Sequence, residues 1–361
     1  MRDLNVTELV ELHEDARRCA EVAGLLYVDV EQPGISRQRR GKGFSYHGFT
    51  DDSGSRAAAV DGEVKARIGE LAIPPAWQHV WICADPNGHV LATGQDDRGR
   101  KQYIYHPAWR ELRDEINFYR LLVLAEVLPK IRAHVQGQLR RRKLDCERTI
   151  AGMIGILDAT YIRIGNETYA EENDSFGLST LTQQHVTVRS RSVTFDFPAK
   201  SGTEVAVRID DARIVRLIRA LLTEPHQRLF TVDGAPIDSA DLNATLLAVC
   251  GEHITAKDFR TWGGTLAAFS YLREGHGADR AASKVAVEAV DEAAQTLHNT
   301  RAVARAHYVH PHLLRAYVDG SFEDYLRHSP PTNTPHLTAD ERALQALLRS
   351  LFAEELSTAQ K

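Results

Sequence analysis

The period of the apolar residues changes about a third of the way along this chain. In residues 5–24, Leu9, Val10, Leu12, Ala16, Ala20 and Val22 recur at helical spacing, which predicts a helix. Leu25 to Val30 then alternates as a strand does. Val80–Ala84 and His89–Thr93 are short apolar runs joined by Asp85-Pro86-Asn87-Gly88, a turn sequence that predicts a hairpin. Gln102–Tyr105 predicts one more strand. Residues 33–56 are polar and rich in Gly, Ser and Arg, so a long loop or irregular ribbon is expected there.

From about Trp109 the helical period takes over. It predicts helices over 112–136, 146–163, 211–223, 238–250, 256–274 and 279–297. Residues 185–208 break the run. Val186, Val188, Val193, Phe195 and Phe197 alternate, Pro198-Ala199-Lys200-Ser201-Gly202-Thr203 follows, and Val205 and Val207 alternate again. That pattern predicts a β-hairpin with Lys200 at its turn. Residues 330–335 form a Pro-rich linker before a terminal helix. The expected fold class is α+β: a small β-rich N-terminal domain over residues 1–110, and a larger, mainly α-helical domain over 111–361 carrying a small β-hairpin sheet.

A length of 361 residues suits about two domains, and 43 % apolar residues suffice for real cores. No apolar run approaches the length of a membrane span. The opening Met-Arg-Asp-Leu-Asn-Val-Thr-Glu lacks the apolar core of a secretory signal, so a cytoplasmic location is expected. Cys19, Cys83, Cys146 and Cys250 are scattered with no Cys-x-x-Cys pair, which argues against a zinc site or a disulfide framework. The net charge of -5 is unevenly spread. Residues 98–143 hold 12 Lys/Arg against 4 Asp/Glu, and Arg37, Arg39, Arg40 and Lys42 form a second basic cluster. Such faces can bind phosphates and release counterions despite an acidic total. Taken singly, each run is also what an ordinary solvated face looks like.

The candidate chemistry centres on Tyr308, in Asn299-Thr300-Arg301-Ala302-Val303-Ala304-Arg305-Ala306-His307-Tyr308. Arg163 lies in Thr160-Tyr161-Ile162-Arg163-Ile164-Gly165, and Arg260 in Lys257-Asp258-Phe259-Arg260-Thr261-Trp262. A neutral phenol with a pKa near 10 attacks poorly. Guanidinium groups favour the phenolate and neutralise nonbridging phosphate oxygens, and their planar fork matches phosphate. A departing alkoxide also needs a proton, and Lys200 on its turn is a candidate general acid. Each residue alone has an ordinary structural explanation: a half-buried tyrosine, a helix-end cation, an arginine paired with Asp258, a turn lysine. Tyr103 and Tyr105 share one strand face and could be a core stripe, although Arg98, Arg100 and Lys101 beside them favour nucleic-acid contact. His307, His310 and His312 lack the carboxylates or cysteines that usually complete a metal site. No phosphate-binding Gly-Lys loop appears, so ATP use is not supported.

In order and spacing these segments resemble the type IB DNA topoisomerases of the poxvirus-like bacterial kind, over roughly residues 25 to 330. The Lys257-Asp258-Phe259-Arg260-Thr261 and Thr160–Gly165 segments are similar to those bearing that family's two arginines. Phe176-Gly177-Leu178-Ser179-Thr180-Leu181 resembles the run that follows the first, and Gly99–Tyr105 resembles the N-terminal DNA-contact strand. The resemblance implies Tyr308 as the nucleophile of a 3′-phosphotyrosyl bond, Arg163 and Arg260 as clamps on the scissile phosphate, and Lys200 as general acid. Poxvirus members have a histidine nine residues before the tyrosine, where this chain has Asn299, with His298 one residue earlier. Asn299 is expected to be the oxyanion contact; His298 could substitute only if the helix leading into it were distorted. Arg100, Lys101, Gln102, Tyr103, Tyr105 and Tyr169 match DNA-contact positions. The implied protein is a monomeric, C-shaped clamp on duplex DNA, nucleoid-associated, using no cofactor and no metal. Two alternatives remain. A tyrosine recombinase shares the Arg/Lys/Arg/Tyr set but typically carries histidine where Lys257 stands. A non-catalytic duplex-binding protein would not need the intact set.

Overall fold

The computed structural model describes residues 12, 15–41, 43–48, 60–165, 167, 170, 174–223, 226–276, 280–328 and 331–359. The chain divides into two compact units, residues 1–119 and 120–361. The architecture is α+β, with a larger antiparallel sheet in the first unit and mostly helices in the second. No helix among the described residues is long and apolar enough to cross a membrane.

The first helix whose bounds lie among the described residues is α1 (Ala16–Val22), capped by the Asp15 carboxylate, which accepts from Arg18 N at 3.0 Å. Then come β1 (Ile35–Arg40), β2 (Gly43–His47), α2 (Gly62–Glu70), β3 (Gln78–Ile82), β4 (Val90–Gln95) and β5 (Lys101–Tyr105). The strands form one antiparallel sheet in the order β2-β1-β3-β4-β5. Ile35, Val80, Ile82 and Ala92 on the sheet bury against Ile68 of α2, with Trp77 and Ile104 at the margin. Asp61 caps α2 by accepting from Val64 N at 2.8 Å, which fixes where that apolar helix face begins.

One expectation is sharpened here and one fails. Of the loop or ribbon expected over residues 33–56, the described part is a ribbon, because β1 and β2 pair from Ser36↔His47 to Arg40↔Gly43; residues 42 and 49–56 lie outside the described residues. The hairpin was hidden because Ile35 is its one deeply buried side chain and the remaining β1 positions are polar. Arg37 fills an inward place by donating to the carbonyls of Ile73, Pro74 and Trp77 at 3.2, 2.9 and 2.7 Å. Its guanidinium also lies over the Phe44 ring at 4.2 Å, so a charged residue does an apolar residue's packing. Conversely, Leu25–Val30 forms no strand beyond a single bridge from Leu26 to Gly88.

The long helix α3 (Pro107–Arg140) crosses the division between the units. The second unit continues with α4 (Cys146–Thr160), β6 (Val186–Val188), β7 (Val193–Ala199), β8 (Thr203–Ile209) and α5 (Ala212–Leu221). After the small pair β9 (Thr231–Val232) and β10 (Ala235–Pro236) come α6 (Ser239–Cys250), α7 (Ala256–Arg273), α8 (Ala282–Thr296), α9 (Arg301–His307), α10 (Pro311–Asp319), α11 (Phe322–His328) and α12 (Ala339–Ala359). The predicted hairpin is the β7–β8 half of a three-stranded sheet, paired from Val193↔Ile209 to Ala199↔Thr203. Val193, Phe195 and Phe197 point to the core at period two. Helix α4 is buried on nearly every side, and a Cβ at Gly152 would meet Leu217 at 2.0 Å. Helix α7 is equally enclosed. Its first turn is anchored by Asp258, which accepts from Thr255 N and Oγ at 2.7 Å and from Arg120 at 2.8 and 2.9 Å. Burial opposes ionisation of that carboxyl, but Arg120 and Thr255 hold it below the ordinary carboxylate range.

Candidate active site

The site is built where α4, α7 and α9 end or begin. The sequence predicts helix through residue 163, but α4 stops at Thr160 because Tyr161 is left-handed, with φ 53°, and bonds back to Leu157 O at 2.8 Å. Arg163 therefore sits in an extended segment. That segment is buttressed by Leu178 N donating to Arg163 O at 2.8 Å and Ser179 N donating to Ile164 O at 2.6 Å. Gly165, at φ 97°, and Gly177 pack backbone to backbone; a Cβ on Gly177 would lie 2.4 Å from Gly165 N. Phe176 N in turn donates to Pro198 O on β7, so the same stretch ties Arg163 to the strand leading to Lys200.

Arg260 occupies the second turn of α7 and is only 4 % exposed. Its Nη1 donates to Tyr161 O, and its Nη2 donates to Leu297 O at 3.0 Å. Asp258 is taken by Arg120, so the pairing of Arg260 with Asp258 that the sequence allowed does not form. Burial pushes the Arg260 guanidinium below its usual range; the Tyr308 phenol opposes that shift and Arg163 adds to it. The Arg260 guanidinium lies 5.0 Å from the Tyr308 ring centroid.

Tyr308 follows α9 as its C-cap, half-buried, with its N–H on Ala304 O at 2.9 Å. Its carbonyl accepts from Thr265 Oγ at 3.0 Å. A Cβ at Gly264 would lie 2.7 Å from Tyr308 O, and one at Gly263 would lie 2.5 Å from the Tyr161 ring. The Gly263-Gly264 pair thus lets both tyrosines reach the α7 backbone. Sequence reasoning missed Gly263, Gly264, Thr265 and Tyr161. The usable signal was a glycine pair inside an apolar helix, which costs about 1 kcal/mol per residue unless close approach requires it.

Asn299 Oδ1 accepts from Arg163 Nη2 at 2.5 Å, while its buried Nδ2 has no partner among the described residues. His298 is left-handed, with φ 50°, so the chain is distorted just before Asn299. His298 lines a small recess together with Ile162, Phe197, Val205 and Leu297 and with the two arginines, Arg163 and Arg260. Burial, then the charges of Arg260 and Arg163, push its pKa below 6.5. Arg163, Lys200, Lys257, Arg260 and Tyr308 line one open cleft of about 270 Å³. Lys200 is exposed, on a single 3₁₀ turn closed by Gly202 at φ 71°.

In the first unit, β5 presents Tyr103 stacked on Tyr105 at 5.7 Å, and Tyr105 on Trp109 at 6.3 Å. Tyr103 is 40 % exposed, so the pair is not a core stripe. Burial raises the Tyr105 phenol's pKa. Lys101 lies 5.9 Å from the Tyr103 ring centroid and pairs with Glu31 at 3.4 Å. Arg100 and Gln102 both bind Asp96, at 2.6 and 3.0 Å. Tyr169 lies outside the described residues. No group of three or more His, Cys, Asp or Glu able to hold a metal ion occurs among the described residues. His310 is buried and accepts from His312 N at 3.2 Å.

A family model of the eukaryotic DNA topoisomerase I catalytic core matches residues 106–320. Another, of the bacterial DNA topoisomerase IB N-terminal domain, matches residues 43–96. The DNA topoisomerase 1B of Acanthamoeba polyphaga mimivirus is 30 % identical over 309 residues, covering 82 % of this chain and 90 % of that one. This chain belongs to the type IB DNA topoisomerase family. The vaccinia virus (strain Copenhagen) DNA topoisomerase 1B is 22 % identical over 161 residues, 42 % of this topoisomerase and 50 % of its relative. A solved structure of the XerH site-specific recombinase bound to palindromic difH substrate, in a post-cleavage complex, covers 53 % of this chain and 51 % of its own. It shares 16 % identity, with a TM-score of 0.35. The matched core takes in every residue of the cleft, from Arg163 to Tyr308, whereas α12 lies beyond it.

Proposed function

We propose that this protein relaxes supercoiled duplex DNA by transient cleavage of one strand, with Tyr308 as nucleophile. The observation that carries the reading is the convergence of Tyr308, Arg163, Arg260 and Lys200 on one cleft. Tyr308 Oη attacks the scissile phosphorus, and the bond from phosphorus to the 5′ oxygen breaks as the new ester forms. The phenolic proton leaves to solvent, and Lys200 gives a proton to the departing 5′ oxygen. Arg163 and Arg260 neutralise charge on the nonbridging oxygens, the largest expected contribution to rate. The Asn299 amide supplies a neutral donor there. One phosphodiester replaces another, so the cut strand can swivel and be rejoined when the freed 5′ hydroxyl attacks the phosphotyrosine, without ATP.

Residues 1–110 would then supply DNA contact and residues 111–361 the chemistry, the two closing as a clamp on the duplex in a monomer acting on the chromosome in the cytoplasm. Arg100, Lys101, Gln102, Tyr103, Tyr105 and Tyr169 would touch the DNA, with Lys101 and Arg100 on phosphates and the stacked tyrosines on sugars or bases. Tyr308→Phe tests the reading. The variant should bind duplex DNA as the parent does and lose both relaxation and covalent capture of a nicked suicide substrate. Retained relaxation would refute the assignment.

A further inference from the structure

Outside the lining of the cleft, α3, α4 and α12 share an ion cluster that the strand-breaking chemistry does not touch. Arg132, on α3, donates to Asp158 of α4 at 2.7 and 2.9 Å and to Glu341 of α12 at 2.6 and 2.8 Å. A further bond joins it to His336 O at 2.7 Å. Glu341 is 2 % exposed. It also accepts from Thr338 N at 2.7 Å and from Trp262 Nε1 on α7 at 3.4 Å. Burial works against both charges, yet the pairing wins: Arg132 is held above its usual range and Glu341 below its own.

The cluster reaches α7 through Trp262 and acts on Tyr161 through its charges. After burial itself, the charges of Asp158 and Glu341 raise the Tyr161 phenol's pKa and keep it neutral. Tyr161 O is one of the two carbonyls that hold Arg260, and the Tyr161 ring packs on Gly263. Trp262 is fully buried, two residues beyond Arg260 on the same helix. From the far side, Asp340 of α12 accepts from Ser270 at 2.7 Å and from Arg273 at 2.5 Å, both on α7. Gln345 of α12 donates to Ala125 O at 3.0 Å. The first turn of α12 is therefore fastened to α7 at Trp262, Ser270 and Arg273, and Gln345 ties α12 to α3.

We infer that Glu341 is a positioning residue for strand cleavage: through Arg132, Asp158 and Trp262 it fixes Tyr161 and α7, and so the place of the Arg260 guanidinium. This rests on the reading of Arg260 as a phosphate clamp. A guanidinium aimed at a transition state loses much of its worth when displaced by a fraction of an ångström. A carboxylate is needed because a neutral amide leaves Arg132 half-compensated in a dry site.

The test is Glu341→Gln, which keeps shape and an acceptor for Trp262. Single-turnover cleavage of a suicide substrate, measured well below the melting temperature, should slow about 10- to 100-fold with duplex affinity unchanged. The defect should shrink severalfold on a substrate whose scissile phosphate is a neutral methylphosphonate, because less charge then depends on Arg260. A role in stability alone predicts a lower melting temperature with cleavage at the parent rate, and that result overturns the inference. So does an equal defect on both substrates. If Glu341→Gln does not fold, Arg132→Lys serves, because an ammonium cannot span both carboxylates at once. The same pattern is expected of it, and a parent-like rate overturns the inference. Absence of covalent complex with the parent protein would instead remove the topoisomerase reading itself.

Discussion

The floor and the rim of the cleft are built on opposite principles. On the floor, Arg260 is buried in α7 and held by two backbone carbonyls. Its approach to Tyr308 is set by a glycine that admits no Cβ. At the rim, Lys200 is exposed on a single turn between β7 and β8, beside a glycine with open space around it. Charge stabilisation is thus assembled in advance, where it needs no reorganisation during the reaction. Proton delivery is entrusted to a long flexible side chain whose geometry can adjust to the bound strand. If that contrast is right, the two cations should fail differently when removed.

Arg260→Ala should give the larger loss, about 10³-fold in the cleavage rate. It should also destabilise the fold by about 1–3 kcal/mol, because Tyr161 O and Leu297 O lose a buried donor. Lys200→Ala should slow cleavage about 10²-fold, within the range for a lost general acid, and leave the melting temperature within error. A substrate with a 5′-thiol leaving group, which departs without a proton, should restore cleavage to the Lys200 variant and not to the Arg260 variant. Rescue of both, or of neither, would erase the distinction between floor and rim.

The same contrast explains what the sequence disclosed. Arg260 was legible because its segment, Lys257-Asp258-Phe259-Arg260-Thr261, resembles one bearing a family arginine and a guanidinium suits a phosphate, although alone it read equally as a partner of Asp258. Lys200 was legible from strand alternation on either side of a turn. The end of α4 was not. Helical period carries through Tyr161 and Ile162, whereas the chain turns left-handed at Tyr161, whose ring packs on Gly263, a contact far away in sequence. The β1–β2 hairpin escaped because Arg37 packs by its stem and guanidinium face, which a count of apolar positions cannot see. The hold of α12 on α7 escaped for a different reason. Arg132, Asp158 and Glu341 are far apart in sequence, and each reads alone as a solvated charge on a helix.

The smallest expected effect separates Asn299 from its neighbour. His298 lines a small recess with Arg163 and Arg260, and burial together with their charges disfavours its protonation. Its folded pKa is depressed, so the neutral ring is the folded form. Below about 6.5 the unfolded chain takes up a proton that the folded chain does not. Stability attributable to this residue is therefore constant above that value and falls as the pH drops from it toward the folded pKa. His298→Asn, which suits a left-handed backbone, should flatten this acid limb in thermal melts between pH 7 and 5. Cleavage near neutral pH should change by no more than about twofold, because a neutral ring supplies no charge to the phosphate. Asn299→Ala should cost far more, since it removes the acceptor for Arg163 and the nearby amide donor together. A large cleavage defect in His298→Asn, with Asn299→Ala nearly silent, would reverse the two assignments and make the rim of the oxyanion site a titrating one.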